Sequence, residues 1–127
     1  WLNSRFMALF LTSTVFGSLH LANPEITALG YEFVILYITV GFVLGIMTLM
    51  DDGLELALGF HAANNLIAAL LVTADWTVFQ TESILIDISE PSLGITDWIT
   101  PFIVFSYSSC FICKEVFMDK LERKIIF

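Results

Sequence analysis

Residues 51–71, DDGLELALGFHAANNLIAALL, decide the fold, because they form an apolar run of helical length with polar groups at its centre. These groups are His61, Asn64 and Asn65, and because lipid offers them no hydrogen bonds they must face protein or trapped water. His61 and Asn65 are four residues apart, hence about 40° apart around a helix and about 6 Å along it. The two side chains therefore point toward one place, and we predict His20, on an earlier apolar run, as their partner.

The composition indicates a membrane protein. Of the 127 residues, 57% are hydrophobic and only 14% are charged, and the mean hydropathy is +0.86. In soluble domains, about a quarter of the residues are charged. The net charge of −8 comes with only five Lys and Arg residues, which argues against a nucleic-acid partner. The expected surroundings are membrane lipids.

Four apolar runs predict an all-α, multi-pass transmembrane bundle with about four membrane helices. Pro24 ends the first run, since the residue before a proline is pushed out of helical geometry. The second run carries Gly41 and Gly45, a GxxxG pair that lets a neighbouring helix approach closely. Asp52, with Glu55 three residues later, predicts a capping box at the start of the third. The runs are residues 6–21, 26–50, 51–71 and 98–118.

Residues 75–97 are predicted to form an acidic extramembrane loop. The segment holds five acids and no bases, and Trp76 and Trp98 at its two ends suit membrane–water boundaries. Within it, residues 78–88 fit either a short strand or an interfacial helix. Arg5 and the basic C-terminus mark both ends of the chain as cytoplasmic by the positive-inside rule, so the loop is expected to lie outside.

The chain begins at Trp1, within what resembles a loop entering a helix. We therefore expect residues 1–127 to be a single integral-membrane domain, the C-terminal part of a longer protein. Cys110 and Cys113 form a CxxC pair in an apolar run. One such pair supplies only half of a zinc site, so we favour buried apolar roles for both cysteines.

Two short motifs resemble those of the CPBP family of intramembrane proteases, which includes type II CAAX prenyl endopeptidases and bacteriocin-processing or immunity-associated bacterial relatives. Residues 16–20, FGSLH, resemble the family's FxxxH motif, and residues 61–65, HAANN, resemble its HxxxN motif. The flanking LHLANPE and DDGLELALG are also similar to bacterial members, and the likeness covers roughly residues 1–75. The family's first motif, EExxxR, is absent here and would lie upstream of Trp1.

The resemblance implies an intramembrane endopeptidase of the bacterial cytoplasmic membrane that hydrolyses CAAX-type, bacteriocin or other membrane-associated peptides. His20 and the missing glutamate would hold and activate water, while His61 and Asn65 would donate hydrogen bonds to the oxyanion. Phe16 would pack beneath His20, and Asn64 would link neighbouring helices. Without the upstream glutamate, this piece alone is expected to be inactive.

No metal or cofactor is expected within the sequence. It contains no HExxH motif, and two histidines without a third ligand leave a zinc site incomplete. A divalent metal such as zinc, completed by upstream residues, stays open, so the expected peptidase is either of the metallo or of the glutamate type.

Two other classes stay open beside the protease: a catalytically inactive relative with an immunity or scaffold role, and a polar-lined transporter subunit. The spans hold few acids at depth and no inverted repeat, which disfavours the transporter. One geometric point opposes the shared site. His20 lies about 21 Å along a helix that starts at Phe6, whereas His61 lies about 13 Å from Asp52 along its own helix.

Overall fold

The chain is mostly helical, as predicted. The computed structural model describes residues 4–103 and 106–107. Residues 95–103 are also helical. The elements with defined bounds are α1 (Arg5–Ser18), α2 (Pro24–Leu29), α3 (Phe33–Asp51), α4 (Glu55–Leu71), β1 (Val72–Thr73) and β2 (Leu85–Ile86).

Small residues bring α1 and α3 together, and this is the most extensive contact between described elements. A Cβ added at Gly41 would lie 3.0 Å from the Ser13 Cα and 3.2 Å from the Phe16 Cβ. On the other side of the contact, a Cβ at Gly17 would meet the backbone nitrogen of Ile38 at 3.0 Å. The predicted close approach at the GxxxG pair is confirmed, because only glycine leaves room for the neighbouring backbone.

The burial pattern of α1 is the inverse of that of a helix in a soluble protein. Its buried residues are Ser13 and Gly17, whereas large apolar side chains such as Phe6 and Phe10 are exposed. The Ser13 hydroxyl donates to the Leu9 carbonyl oxygen at 2.7 Å, so it is satisfied within its own helix. Small residues inside and large apolar residues outside are typical of helices that face lipid.

The chain path around Pro24 differs from the prediction. The first helix already ends at Ser18, and Pro24 is the first residue of α2. Proline suits this position, because the N–H that it lacks would have no partner within the helix there. The predicted second run, residues 26–50, is two helices rather than one. The break lies at Gly30, whose φ of 89° is a conformation that glycine adopts readily.

A turn follows α3, but the predicted capping box does not form. Asp52 has a left-handed φ of 54° and closes α3 as its C-terminal cap. Because α4 begins only at Glu55, this residue occupies the first helical position, and no side chain caps the helix. The prediction that Asp52 and Glu55 cap each other is therefore wrong.

A small parallel pairing follows α4. Val72 pairs with Leu85 and Thr73 with Ile86, so the strand interpretation of residues 78–88 holds for two residues and the interfacial helix is wrong. The predicted fourth run is helical over residues 95–103. Residues 106–107 are helical as well, and the other residues of that run, with Cys110 and Cys113, lie outside the described residues.

Among the described residues, one helix is long and apolar enough to cross a membrane, namely α3 with 19 residues and a mean hydropathy of 2.4. The α4 helix is a shorter apolar helix of 17 residues. The bundle of about four crossings therefore stays a prediction.

Candidate functional site

All five residues singled out from the sequence line one cavity of about 300 Å³. The cavity lies where the end of α1 meets the first half of α3, the second half of α4 and the segment after β1. The five residues are Phe16, His20, His61, Asn64 and Asn65. The structure thus brings together the residues of both sequence motifs.

His20 lies in the turn just after α1, and two contacts fix its imidazole ring. Its Nδ1 lies 2.7 Å from the Phe16 carbonyl oxygen, which can only accept, so Nδ1 carries the proton and donates. The Tyr37 ring of α3 stacks on it, with centroids 4.2 Å apart and an angle of 22° between the planes. The Nε2 of His20 is therefore left as a proton acceptor.

Phe16 bridges the two histidines. Its ring centroid lies 4.7 Å from that of His20 and 5.3 Å from that of His61, which it meets edge-on at 76°. Phe16 is one helical turn before His20, so it reaches the level of His61 on α4. The difference in depth estimated from helix lengths therefore does not keep the two histidines from lining one cavity.

His61 and Asn65 contact each other along α4, as their spacing predicts. The Asn65 Nδ2 lies 3.3 Å from the His61 Nε2 and donates to it. The proton of a neutral His61 is then on Nδ1, and Asn65 keeps its second amide hydrogen for another acceptor. The two N–H groups that stay free to donate, His61 Nδ1–H and the second Asn65 Nδ2–H, therefore belong to one hydrogen-bonded pair on α4.

Asn64 occupies a different position on α4. It is exposed, and it lines both the polar cavity and a smaller one of about 130 Å³ that Pro101 also lines. No hydrogen bond of its side chain occurs within the described part of the chain.

Four polar residues of the cavity were not anticipated from the sequence: Asn23, Glu25, Tyr37 and Thr77. Asn23 Nδ2 donates to the Tyr37 hydroxyl oxygen at 3.2 Å, which ties the turn after α1 to α3. Glu25 is buried, with 7% of its surface exposed. The available signal was an acid directly after Asn-Pro between two apolar runs, a position where a charge stands out.

The cavity has little formal charge. Of its lining residues, Glu25 is the one acid, and none is a lysine or an arginine. Within residues 4–103 and 106–107, no three His, Cys, Asp or Glu side chains cluster as metal ligands would. The donors described here therefore do not by themselves fit a structural or catalytic zinc site, which takes three or four protein ligands.

A second, apolar cavity of about 370 Å³ runs between α1, α3 and the start of α4. Arg5 and Leu58 are among its lining residues, and it shares Phe16 and His61 with the polar cavity. The imidazole of His61 thus lies between an apolar groove and a polar pocket.

Comparison with known proteins identifies the family. Residues 1–67 match the family described as type II CAAX prenyl endopeptidase Rce1-like. The chain is 40% identical over 74 residues to the uncharacterized protein YyaK of Bacillus subtilis (strain 168), a match that covers 56% of this chain and 25% of that protein. The chain thus spans about a quarter of the length of the curated relative it matches. No solved structure matches the chain.

Because the family match covers more than half of the 127 residues, this chain belongs to the Rce1-like family of type II CAAX prenyl endopeptidases, which is membrane-embedded. The resemblance drawn from the FxxxH and HxxxN motifs is confirmed.

Proposed function

We propose that the complete protein is an intramembrane endopeptidase that hydrolyses a peptide bond of a membrane-associated substrate. The main support is that His20, just after α1, lines one cavity of about 300 Å³ together with His61 and Asn65 of α4. A cavity that gathers imidazoles and an amide between apolar helices is expensive to maintain without a function.

His20 is proposed as the general base. Its Nδ1–H is engaged by the Phe16 carbonyl, so Nε2 accepts a proton from water as the water oxygen attacks the peptide carbonyl carbon. The same Nε2 then returns the proton to the leaving amine as the C–N bond breaks. The glutamate that the resemblance assigns as a further base is not in this sequence, so no step here depends on it.

His61 and Asn65 are proposed as the oxyanion donors. Hydrogen-bond donors aimed at the developing negative charge lower the barrier most when they are fixed beforehand. The contact between the Asn65 Nδ2 and the His61 Nε2, at 3.3 Å, fixes both side chains on one face of α4. The donors would be the second N–H of Asn65 and the Nδ1–H of His61. The apolar cavity beside His61 would accept apolar residues of the substrate.

We also propose that the chain crosses a bacterial cytoplasmic membrane four times, with both of its ends on the cytoplasmic side. Thiol labelling of single-cysteine variants of the complete protein tests it, with Ser83→Cys expected to react from outside and Lys120→Cys from inside. Reaction of both from the same side would rule out four crossings.

The proposed activity is tested by cleavage of a membrane-anchored reporter peptide by the complete protein. His20→Ala and His61→Ala should each lower the single-turnover rate by at least about 10³-fold, because each removes a group that acts on the reacting atoms. The matched control is Glu32→Ala, an exposed residue that does not line the cavity.

Both histidine variants should insert into the membrane like the wild type. If either variant cleaves normally, that histidine has a structural role and not the proposed one. If the wild-type protein cleaves no reporter, the inactive-relative interpretation replaces the protease.

A further inference from the structure

The segment after α4 forms a loop whose two ends are tied together. Residues 74–80 leave β1 and return toward β2, and the strands pair through Val72 with Leu85 and Thr73 with Ile86. The tie continues on both sides of this pairing. Ile84 N donates to Leu70 O at 3.1 Å, Asp87 N donates to Thr73 O at 2.8 Å, and the hydroxyls of Thr81 and Ser83 donate to Ala69 O.

The loop also has hydrogen bonds of its own. The Thr73 hydroxyl donates to the Phe79 carbonyl oxygen at 2.9 Å, and the Thr77 hydroxyl donates to the Ala74 carbonyl oxygen at 3.0 Å. A short loop with closed ends and internal bonds moves as one piece rather than unravelling.

The tip of this loop forms a wall of the polar cavity. Thr77, Val78 and Phe79 line the cavity together with His20 and His61. These three residues come from outside the α-helices, so the loop is a wall of the cavity separate from the helices that carry His61 and pack against His20.

One distant side chain fastens the tip. The Val78 backbone N–H donates to the Glu25 Oε1 at 2.8 Å, joining positions that are 53 residues apart. Glu25 is 7% exposed. A hydrogen bond from an N–H to a carboxylate is about twice as strong as one between neutral groups.

Closure also leaves the second carboxylate oxygen unsatisfied. Glu25 Oε2 is sealed from solvent and has no hydrogen-bond partner in the described part of the chain. A buried oxygen of this kind destabilises the closed state, and it regains water when the loop moves away. The gain at Oε1 and the loss at Oε2 oppose each other, so the closed position is less stable than it would be with both oxygens satisfied.

We propose that residues 74–80 are a lid over the polar cavity and that Glu25 is the positioning residue that latches it through the Val78 N–H. The lid opens to admit a peptide and closes over it. This role toward a peptide rests on the proposed protease function. Glu25 touches no reacting atom.

Hydrogen exchange of the Val78 amide in the complete, detergent-solubilised protein tests the latch without any substrate. Glu25→Ala removes the acceptor and should speed exchange at Val78 by about ten- to a hundredfold. Glu25→Gln keeps an acceptor oxygen and should stay within about threefold of wild type. The Asp87 amide, which bonds to Thr73 outside the lid, should exchange at the wild-type rate in both variants.

The latch is refuted if Val78 exchanges in Glu25→Ala as it does in wild type. It is equally refuted if Val78 and Asp87 accelerate together, since that pattern reports general unfolding and not opening of a lid. Glu32→Ala, at an exposed carboxylate just before α3, is the matched control and should change neither amide.

Cleavage kinetics test the link to substrate. Glu25→Ala should raise KM by about tenfold with kcat within about threefold of wild type, and Glu25→Gln should restore KM. A fall in kcat at unchanged KM would make Glu25 part of the chemistry and contradict the proposal. If the wild type cleaves nothing, the protease function and the substrate statement both fail, and hydrogen exchange still decides the latch.

Discussion

The two long helices of the described chain, α3 and α4, are both apolar and yet differ in what they do. α3 buries Leu36, Gly41, Val43 and Met47 and packs closely against α1. α4 buries only Ala57 among the described residues and carries His61 and Asn65 at its centre. The difference teaches that hydropathy alone does not separate a helix that packs from a helix that carries a polar cluster. What separates them is where small residues and where polar residues lie.

The first way to break this comparison is to place the same bulky residue on each helix. Gly41→Leu should cause the largest effect of all, loss of most folded protein, because the new side chain would meet the Ser13 backbone. Overpacking costs about 1–3 kcal/mol where side chains yield, and more where backbone blocks the way. The measurement is the thermal midpoint and the monodisperse yield in detergent.

Gly59→Leu on α4 is the matched control, since nothing described lies within 4 Å of a Cβ there. It should leave the free energy of unfolding unchanged or raise it by up to about 1 kcal/mol, because leucine favours a helix more than glycine does. Equal losses at Gly41 and Gly59 would show that α3 is not the packing helix of the pair.

The second test is chemical and falls on α4. Asn65→Ala should lower kcat by about 10² to 10³-fold with little change in KM, as for the loss of one oxyanion donor. Asn65→Asp should be at least as damaging, because a carboxylate repels the developing negative charge. The measurement is single-turnover cleavage of one reporter by the complete protein.

Asn64→Ala is the matched control for Asn65, since it changes the neighbouring amide, about 100° away around the helix. It should have much less effect on kcat. If Asn64→Ala proved the more damaging change, the oxyanion role would belong to the other face of α4.

The smallest effect is expected at Tyr37, through which the packing helix α3 also contributes to the polar cavity. Tyr37→Phe keeps the ring that stacks on His20 and loses only the hydroxyl that accepts from Asn23. One neutral hydrogen bond is worth about 0.5–1.5 kcal/mol, so kcat should fall about two- to tenfold. Tyr37→Leu, which removes the ring, should fall further. If Tyr37→Phe and Tyr37→Leu lowered kcat equally, the hydroxyl and not the ring of Tyr37 would position His20.

Local geometry explains what the sequence predicted well. The pairing of His61 with Asn65 follows from a spacing of four on one helix, and both side chains lie on the predicted helix. The close contact at Gly41 follows from the GxxxG pattern. Each of these predictions depends on a single element and its regular period.

Features that depend on where the chain turns were missed. Residues 26–50 hold one charged residue, Glu32, just after Gly30, and the run was interpreted as one helix because the rest of it is mostly apolar. Pro24 was interpreted as the end of a helix, although a proline is equally suited to beginning one. These two errors hid α2, and with it the position of Glu25.

Features that depend on contacts between distant segments were also out of reach. The bond from Val78 to Glu25 joins two parts of the chain that carry no shared pattern. The stacking of Tyr37 on His20 depends on how α1 and α3 cross, which the period of either helix does not specify.

The central claim is that the residues around the polar cavity act as one site. The most direct measurement is a double-mutant cycle of single-turnover cleavage by the complete protein, with wild type, His61→Ala, Asn65→Ala and the double variant. If the pair works as a unit, the double variant should lose no more than about what His61→Ala loses alone, because groups that act together are not additive. If the two losses multiply, His61 and Asn65 act independently and the claim of one site is contradicted.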